Sequence, residues 1–369
     1  MSELVEGLGL KKVINASGKM TILGVSKVSD EVAKTMTDAG QSFFVMEELM
    51  EKSGAYLAEQ LQTEDVQIVS SASAGISQSV AALIGKGSLA HLHRPYDTQL
   101  TNKRDIIVPK GHNVDYGGTP IELLIAQGGG VIREAGYANV CTVDHITQQI
   151  TDHTVAILYV KSHHAVQKSV LSVEEAVAVA KKHDLPLIVD AAAEEDLFYY
   201  TQAGADLVIY SGAKAFEGPS SGVVIGKKTY IEWVRLQSKG IGRAMKVGKE
   251  NILGLVTAIS NYLSIGSESG ASMKKRLEPF IAALNELPHM KADIVCDAAG
   301  RDIYRGRLQV EAPLDATMII REQQKGNPAI YTRDYQANNG IIEYDIRSVN
   351  QAEMIAIIER LKEILTGLK

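Results

Sequence analysis

The sequence has few cysteines, no long apolar run and no excess of basic residues. Its only cysteines, Cys141 and Cys296, lie far apart and outside any C-x-x-C pair or histidine cluster. A disulfide framework and a metal site are therefore not expected, and a reducing, cytoplasmic location is the default. No stretch reaches about 18 apolar residues, and the N-terminus lacks the apolar core of a signal peptide, so we expect neither secretion nor a membrane span.

The charge balance argues against a nucleic-acid partner. The formal net charge is -6, whereas binding to a phosphate backbone depends on accumulated lysine and arginine. With 369 residues, of which 45% are hydrophobic and 22% charged, the chain is long enough for a sizeable core and two lobes. A small anionic molecule, bound by a local group of basic residues, is the expected partner.

Strands and helices alternate over more than 150 residues. This order predicts an α/β fold with a mostly parallel sheet and helical crossovers. We expect an N-terminal arm at 1–45, a large domain at 46–255 and a smaller α/β domain at 256–369. Four segments of the last domain are predicted strands: Lys291–Val295, Arg307–Glu311, Thr317–Arg321 and Ile341–Arg347.

Lys214 lies between two short apolar runs. Leu207–Tyr210 and Gly222–Ile225 have the length and β-branched content of buried strands, and the small residues between them predict a tight, ordered turn. A lysine buried in such a turn can lose its proton and act as a nucleophilic amine. The alternative is a surface lysine in a strand connection, and this segment alone leaves both open.

Asp190 ends the apolar strand predicted at Leu185–Val189. A buried carboxylate needs a positive partner or several hydrogen-bond donors, because an isolated one is costly. A protonated pyridine nitrogen is one such partner. A helix N-cap is the alternative role.

A third signal follows the predicted strand Val66–Val69, where the sequence SSASAGISQSVAALIG begins a helix of small residues. Unpaired backbone N–H groups and the positive end of the helix dipole form an anion site. Ser71 and Ser73 add hydroxyl donors, and these small residues, with Gly75, let an anion approach the backbone closely. The segment matches neither the P-loop nor the dinucleotide-binding pattern.

Three histidines follow predicted strands, where open α/β sheets gather ligands. His112 follows Ile106–Val108 and could stack on a flat ring or lie on the surface. His163 and His164 follow Val155–Val160. They have no third ligand at metal spacing, so substrate contacts are favoured over a metal.

Lys227–Glu250 carries seven basic and two acidic residues, a net +5 in an acidic protein. Glycines interrupt its helical pattern and predict a loop, where Arg243 and Lys246 could hold a phosphate or carboxylate. The alternative is a solvated helix face. Arg347 follows a predicted strand and could bind a carboxylate or form a structural salt bridge.

The serine-rich turn, Asp190 and Lys214 occur in the order found in fold-type I pyridoxal-phosphate enzymes, which the sequence resembles. Within them it is similar to the selenocysteine synthase-like branch over about Val13 to Lys228, in VINASGKMTILG, SASAGISQSVAALIG, LPLIVDAAAE and LVIYSGAKAFEGPSSGVVIGKK. The segment GRAMKVGKE and the short N-terminus resemble the ammonia-lyase type. The synthase type carries an additional N-terminal tRNA-binding domain.

The resemblance implies pyridoxal 5'-phosphate as cofactor and assigns residues to it. Lys214 would be the Schiff-base lysine and Asp190 the partner of the pyridine nitrogen. The remaining cofactor contacts would be to the phosphate (Ser73, Ala74, Gly75, Ser211), against the ring (His112) and beneath it (Ala192). The substrate residues His163, His164, Arg243, Lys246 and Arg347 are chosen for charge and position, not by resemblance.

The implied reaction is an ammonia-lyase reaction on a phosphorylated amino sugar acid. Lys214 would remove the α-proton, the β-hydroxyl would leave as water, and a 2-keto acid and ammonia would follow. D-glucosaminate 6-phosphate would give 2-keto-3-deoxygluconate 6-phosphate. An aminotransferase, an amino-acid β-eliminase, a selenium transferase-like enzyme and a nonenzymatic binding protein are the alternatives. At least a dimer is expected.

Overall fold

The computed structural model describes residues 3–116, 118–162, 164–297 and 301–367. They form two compact units. One is Val28–Ile265, and the other combines the residues up to Lys27 with those from Gly266 onward. The domain boundaries predicted from the sequence lie at other positions, and that division stays a prediction.

The regular elements follow in chain order. The helices are α1 (Glu3–Gly7), α2 (Asp30–Gly40), α3 (Met46–Gln60), α4 (Ala72–Gly85), α5 (Leu89–His93), α6 (Ile121–Gln127), α7 (Val143–Gln149), α8 (Val173–Lys182), α9 (Tyr199–Ala203), α10 (Lys228–Leu236), α11 (Lys249–Ile265), α12 (Gly270–Asn285), α13 (Ala316–Lys325) and α14 (Gln351–Gly367). The strands are β1 (Val13–Ala16), β2 (Asp65–Val69), β3 (Asp105–Pro109), β4 (Val131–Ala135), β5 (Thr154–Val160), β6 (Leu187–Asp190), β7 (Leu207–Ser211), β8 (Gly222–Gly226), β9 (Met290–Cys296), β10 (Tyr304–Val310), β11 (Ala329–Thr332) and β12 (Ile341–Tyr344).

The larger unit is built on a seven-stranded sheet of order β2-β8-β7-β6-β5-β3-β4. β8 runs antiparallel to both of its neighbours, β2 and β7. The other pairs are parallel. The predicted α/β fold with a mostly parallel sheet is therefore confirmed.

Both faces of this sheet are covered, which explains why its strands are continuous apolar runs. Successive residues of β7 alternate between two hydrophobic clusters: Val208 and Tyr210 belong to one, Leu207 and Ile209 to the other. Because side chains alternate across a strand, each cluster lies on one face. The central strands are consequently buried throughout, as in β5 and β6.

The carboxyl ends of the parallel strands meet at one edge of the sheet. There β2 leads into α4, β3 into the segment of His112, β5 into Lys161, β6 into the loop after Asp190, and β7 into the lysine turn. The reversed strand β8 begins at the same edge, because Ser211 pairs with Gly222. Residues distant in the chain are thus delivered to one place.

The smaller unit contains the antiparallel sheet β12-β10-β9 and the parallel pair β1-β11. The strand predicted at Thr317–Arg321 is wrong, because these residues lie in α13. The Asp315 side chain caps this helix by accepting a hydrogen bond from the Thr317 backbone N–H at 2.7 Å. Ala316, Ile319 and Ile320 are buried at helical spacing, so the β-branched content of the segment was misleading.

Two features are absent from the described residues. None of their helices combines the length and apolar character needed to span a membrane. They also contain no group of three or more histidine, cysteine or acidic side chains arranged to hold a metal ion.

Candidate functional site

Lys214 lies in the turn that joins β7 to β8. Backbone hydrogen bonds close this turn: the Gly212 N–H donates to the Ser221 carbonyl at 2.9 Å, and the Gly218 N–H to the Gly212 carbonyl at 2.8 Å. Burial lowers the pKa of the Lys214 amine, while the charge of Asp190 opposes that shift. Within the described parts of the chain the Lys214 side chain has no hydrogen bond or ion pair, which leaves its nitrogen available for chemistry.

Gly222 joins the lysine turn to the start of α4. A Cβ atom at this position would lie 2.5 Å from the Ser71 carbonyl carbon and 2.7 Å from the Ala72 nitrogen. Only glycine permits so close an approach between β8 and the helix start. Gly222 therefore allows the start of β8 to pack directly against the start of α4.

Asp190 is buried, with 2% of its surface exposed. Its Oδ1 accepts a hydrogen bond from the Ala192 N–H at 3.1 Å. Its Oδ2 accepts one from the Tyr116 hydroxyl. Burial raises the pKa of the Asp190 carboxyl, and Tyr116, Lys214 and the Ala192 N–H act against that rise. Burial and the neighbouring groups thus shift the pKa of this carboxyl in opposite directions, as is common for functional groups.

The start of α4 offers fewer donors than the sequence indicates. The Ser71 side chain accepts a hydrogen bond from the Ala74 N–H at 3.0 Å, and the Ser71 carbonyl accepts one from the Gly75 N–H at 3.0 Å. Among the described residues the N–H groups of Ala72 and Ser73 have no partner. Gly75 instead allows close packing on the sheet, since a Cβ there would lie 3.0 Å from Ile209.

Ser211 and Ala192 link the end of β7 to the loop that follows β6. The Ser211 N–H donates to the Ala192 carbonyl at 3.2 Å. Asp190 pairs with Ile209 in the sheet, two residues before Ser211. Four of the predicted residues, Lys214, Asp190, Ala192 and Ser211, are therefore brought to one edge of the sheet beside the start of α4.

His112 occupies the core below this edge. Its side chain has no exposed surface, its Nδ1 accepts from the Val160 N–H at 3.2 Å, and its Nε2 lies 3.0 Å from the Val166 carbonyl. Burial lowers the pKa of the imidazole to about 4. A neutral ring with its proton on Nε2 satisfies both contacts. The predicted contact with a cofactor ring stays a prediction.

Of the residues after β5, Lys161 lies nearer to Asp190 than the predicted histidine that the structure describes. His163 lies outside the described residues, and His164 is exposed. Lys161, which the sequence analysis passed over, is closer to the site: its N–H donates to the Asp190 carbonyl at 2.8 Å, and its Nζ lies 3.3 Å from Gln167 Oε1. Its position directly after a buried strand was the available signal.

The basic segment begins as helix α10 and continues in two 3-10 turns, Gln237–Lys239 and Ile241–Arg243. Arg243 and Lys246 are exposed, and the side chain of neither has a hydrogen bond or ion pair within the described residues. The adjacent Gly242 packs against Gln78 of α4. Since a helix rises 1.5 Å per residue, Gln78 is about 9 Å along the axis from the helix start.

Arg347 lies in the other unit. Its guanidinium donates to both oxygens of Asp345, at 2.9 and 2.8 Å, and Arg305 donates to the same carboxylate at 3.1 Å. Arg347 therefore forms the salt bridge that the sequence left open as an alternative. Its contact with a substrate carboxylate stays a prediction.

Tyr116 is the contact that sequence analysis missed. It lies in the segment PKGHNVDYGG at the end of β3, but nothing local marks it, because its partner Asp190 is 74 residues away. A tyrosine between polar and glycine residues after a buried strand was the only signal.

A half-buried lysine follows β7, a buried aspartate ends β6, and N–H groups without a partner among the described residues lie at the start of α4. These three features define the class of fold-type I pyridoxal-phosphate enzymes. These groups fit the cofactor, which needs an amine for its aldehyde, a carboxylate for its ring nitrogen and donors for its phosphate. The cofactor of the class is pyridoxal 5'-phosphate. The family model described as "SelA: L-seryl-tRNA selenium transferase" matches residues 13–269, and the chain belongs to this family.

Individual relatives cover nearly the whole chain. It is 45% identical over 365 residues to a D-glucosaminate-6-phosphate ammonia lyase of Salmonella typhimurium, covering 98% of this chain and 97% of that one. It is 36% identical to a 5'-C-glycyluridine monooxygenase-decarboxylase of a Streptomyces species, covering 97% and 91%. A solved structure of D-glucosaminate-6-phosphate ammonia-lyase superposes with a TM-score of 0.93 at 44% identity, covering 100% and 99%.

Proposed function

We propose that the protein is an ammonia-lyase that converts D-glucosaminate 6-phosphate to 2-keto-3-deoxygluconate 6-phosphate and ammonia. The observation that carries this proposal is the 45% identity to a curated ammonia lyase over nearly the full length of both chains. The net reaction releases ammonia, because the water lost from the β-carbon is regained when the carbon–nitrogen bond is hydrolysed.

Lys214 and Asp190 have the central roles in this proposal. Bound pyridoxal phosphate supplies an aldehyde for the amino group and an electron sink for the α-carbon. Asp190 holds the ring nitrogen in its protonated form. The Lys214 amine accepts the α-proton of the substrate, a role supported by its lowered pKa, since a base must be unprotonated to act.

The cofactor phosphate is assigned to the start of α4. The N–H groups of Ala72 and Ser73, with the hydroxyls of Ser73 and Ser211, supply the donors. This differs from the set predicted from sequence, because the N–H groups of Ala74 and Gly75 are satisfied by Ser71. Ala192 supports the ring from below.

Arg243 and Lys246 bind the phosphate of the substrate. Their exposure and lack of partners within the described residues support this role, since cations without a protein partner can pair with a phosphate. The packing of Gly242 on α4 keeps the segment near the helix that holds the cofactor.

The test is product formation by purified, cofactor-loaded protein without an added keto-acid acceptor. Equal amounts of ammonia and keto acid are expected from D-glucosaminate 6-phosphate, with far weaker turnover of the unphosphorylated acid. Arg243→Ala should raise KM for the phosphorylated substrate about tenfold and leave the unphosphorylated one unchanged. Turnover that requires an acceptor would identify an aminotransferase instead.

A second candidate rests on the 36% identity to a monooxygenase-decarboxylase over 97% of this chain. This activity would act on a nucleoside that carries a glycyl group, with uptake of oxygen and release of carbon dioxide. An oxygen electrode separates the two candidates, because the ammonia-lyase reaction consumes no oxygen.

We also propose a cytoplasmic protein that forms at least a dimer and binds no nucleic acid. Both cysteines are free thiols, as expected in a reducing compartment. Light scattering during size-exclusion chromatography tests the assembly, and a single-chain mass would contradict it.

A further inference from the structure

Tyr116 contacts the carboxylate on which the proposed function depends. Its hydroxyl donates to Asp190 Oδ2, while the Ala192 N–H donates to Oδ1 at 3.1 Å. The two donors approach different oxygens. Together they fix the plane of the carboxylate and leave each oxygen with a further lone pair for another donor.

The backbone around Tyr116 is held independently of Asp190. Its N–H donates to the Thr119 carbonyl at 3.0 Å, and the Ile121 N–H donates to the Val114 carbonyl at 3.0 Å. The Asp115 side chain accepts a hydrogen bond from the Thr119 N–H at 3.0 Å. The phenol is therefore presented to Asp190 by a formed turn.

The phenol acts as a donor in this pair. Burial raises the pKa of the Tyr116 hydroxyl, and the neighbouring Asp190 charge raises it further. The tyrosine keeps its proton, so it cannot serve as a general base at ordinary pH. A neutral donor beside a buried carboxylate favours the charged form of that carboxylate.

We propose that Tyr116 is a positioning residue for Asp190, which keeps the carboxylate ionised and oriented toward the ring nitrogen of the cofactor. This inference rests on the role proposed for Asp190. Without the phenol, the buried carboxylate would retain one neutral donor and the more distant charge of Lys214. It would then take up a proton at higher pH and pair less well with a protonated ring nitrogen.

The experiment uses Tyr116→Phe in the full-length, cofactor-loaded protein. Because a hydrogen bond to a charged group is lost, cofactor affinity should fall about tenfold or more. The pH titration of the cofactor absorption band should change, and the acid limb of the kcat profile should move to higher pH. KM should change little, because Tyr116 is proposed to act through Asp190 and not on the substrate.

Tyr210→Phe is the matched control. Tyr210 is also buried, and its hydroxyl donates to the Asp196 carbonyl at 2.6 Å, so this variant loses a buried phenol hydrogen bond without touching Asp190. It should keep the wild-type cofactor affinity and titration. An equal change in both variants would show a general packing effect and overturn the proposal.

A double variant tests whether Tyr116 acts through Asp190. In the Asp190→Asn background, Tyr116→Phe should cause little further loss of cofactor affinity, because the charged acceptor is already gone. Additive losses, or wild-type behaviour of Tyr116→Phe, would overturn the inference while leaving the proposed function intact. Absence of any cofactor attached to Lys214 would overturn both. Cofactor binding without ammonia release would contradict only the proposed substrate.

Discussion

Burial shifts the pKa values of Lys214 and Asp190 in opposite directions. It lowers the pKa of the amine and raises that of the carboxyl, because in each case the charged form loses hydration. The charge of each group partly restores the ionised form of the other. An amine and a carboxyl whose pKa values are shifted in opposite directions thus occupy one sheet edge.

Lys214→Ala should abolish covalent attachment of the cofactor. Borohydride reduction of the wild-type protein should fix the cofactor mass on the peptide that contains Lys214, and the variant should lack both this mass and the visible absorption band. Loss of the general base should reduce ammonia release about 10²- to 10⁴-fold. Lys182→Ala, on the exposed end of α8, is the control. A reducible cofactor retained by Lys214→Ala would contradict the assignment.

A site residue could be predicted from the sequence where neighbouring residues in the chain mark it, and not where its role depends on a distant partner. Lys214 lies between two recognisable apolar runs and Asp190 ends another, so the sequence indicated both. Tyr116 was missed because its role comes from a contact across 74 residues. For Ala74 and Gly75 the helix was predicted, but the capping bonds from Ser71 that consume their N–H groups required coordinates.

At the scale of elements, strands buried on both faces were the most predictable. Leu207–Tyr210 and Gly222–Ile225 are continuous apolar runs that only a covered sheet can accommodate, and they match β7 and β8. The strand predicted at Thr317–Arg321 was wrong because the segment is buried on one face only. The buried face of a short helix gave a similar apolar run, and the N-cap at Asp315 favours the helix.

Asp345, beside β12, should make the smaller unit sensitive to acid. Burial would raise the pKa of its carboxyl, but hydrogen bonds and charge from Arg347, with the charge of Arg305, lower it to about 2. An unfolded aspartate titrates near 3.9. The folded pKa is thus the lower one, so this contribution is present above about pH 4 and lost as the pH falls toward about 2. It amounts to about 2.6 kcal/mol at neutral pH.

Urea unfolding followed by circular dichroism at about pH 5 and about pH 2.5 measures this contribution. Asp345→Asn should be less stable at the higher pH, because Arg347 and Arg305 each lose the charge of Asp345, although Arg305 keeps its ion pair with Asp297. Its stability should also fall by about 2 kcal/mol less between the two pH values than that of the wild type. An unchanged pH dependence would show that the Asp345 ion pairs do not stabilise the folded state.

At the scale of the whole molecule, the candidate cofactor residues all lie in the unit Val28–Ile265, whereas both chain ends belong to the other unit. The only tryptophan, Trp233, is half-buried in α10 of the unit Val28–Ile265. Its fluorescence therefore reports the unfolding of that unit.

Pyridoxal phosphate should raise the unfolding temperature reported by Trp233. A ligand at 100 times its Kd stabilises the folded state by about 2.7 kcal/mol, which corresponds to roughly 5–10 °C for a unit of this size. Pyridoxal without phosphate should give a smaller shift, because it lacks the group assigned to the start of α4. Lys214→Ala should retain part of the shift, since the phosphate and ring contacts remain. Equal shifts with pyridoxal and its phosphate would contradict the phosphate site at Ala72 and Ser73.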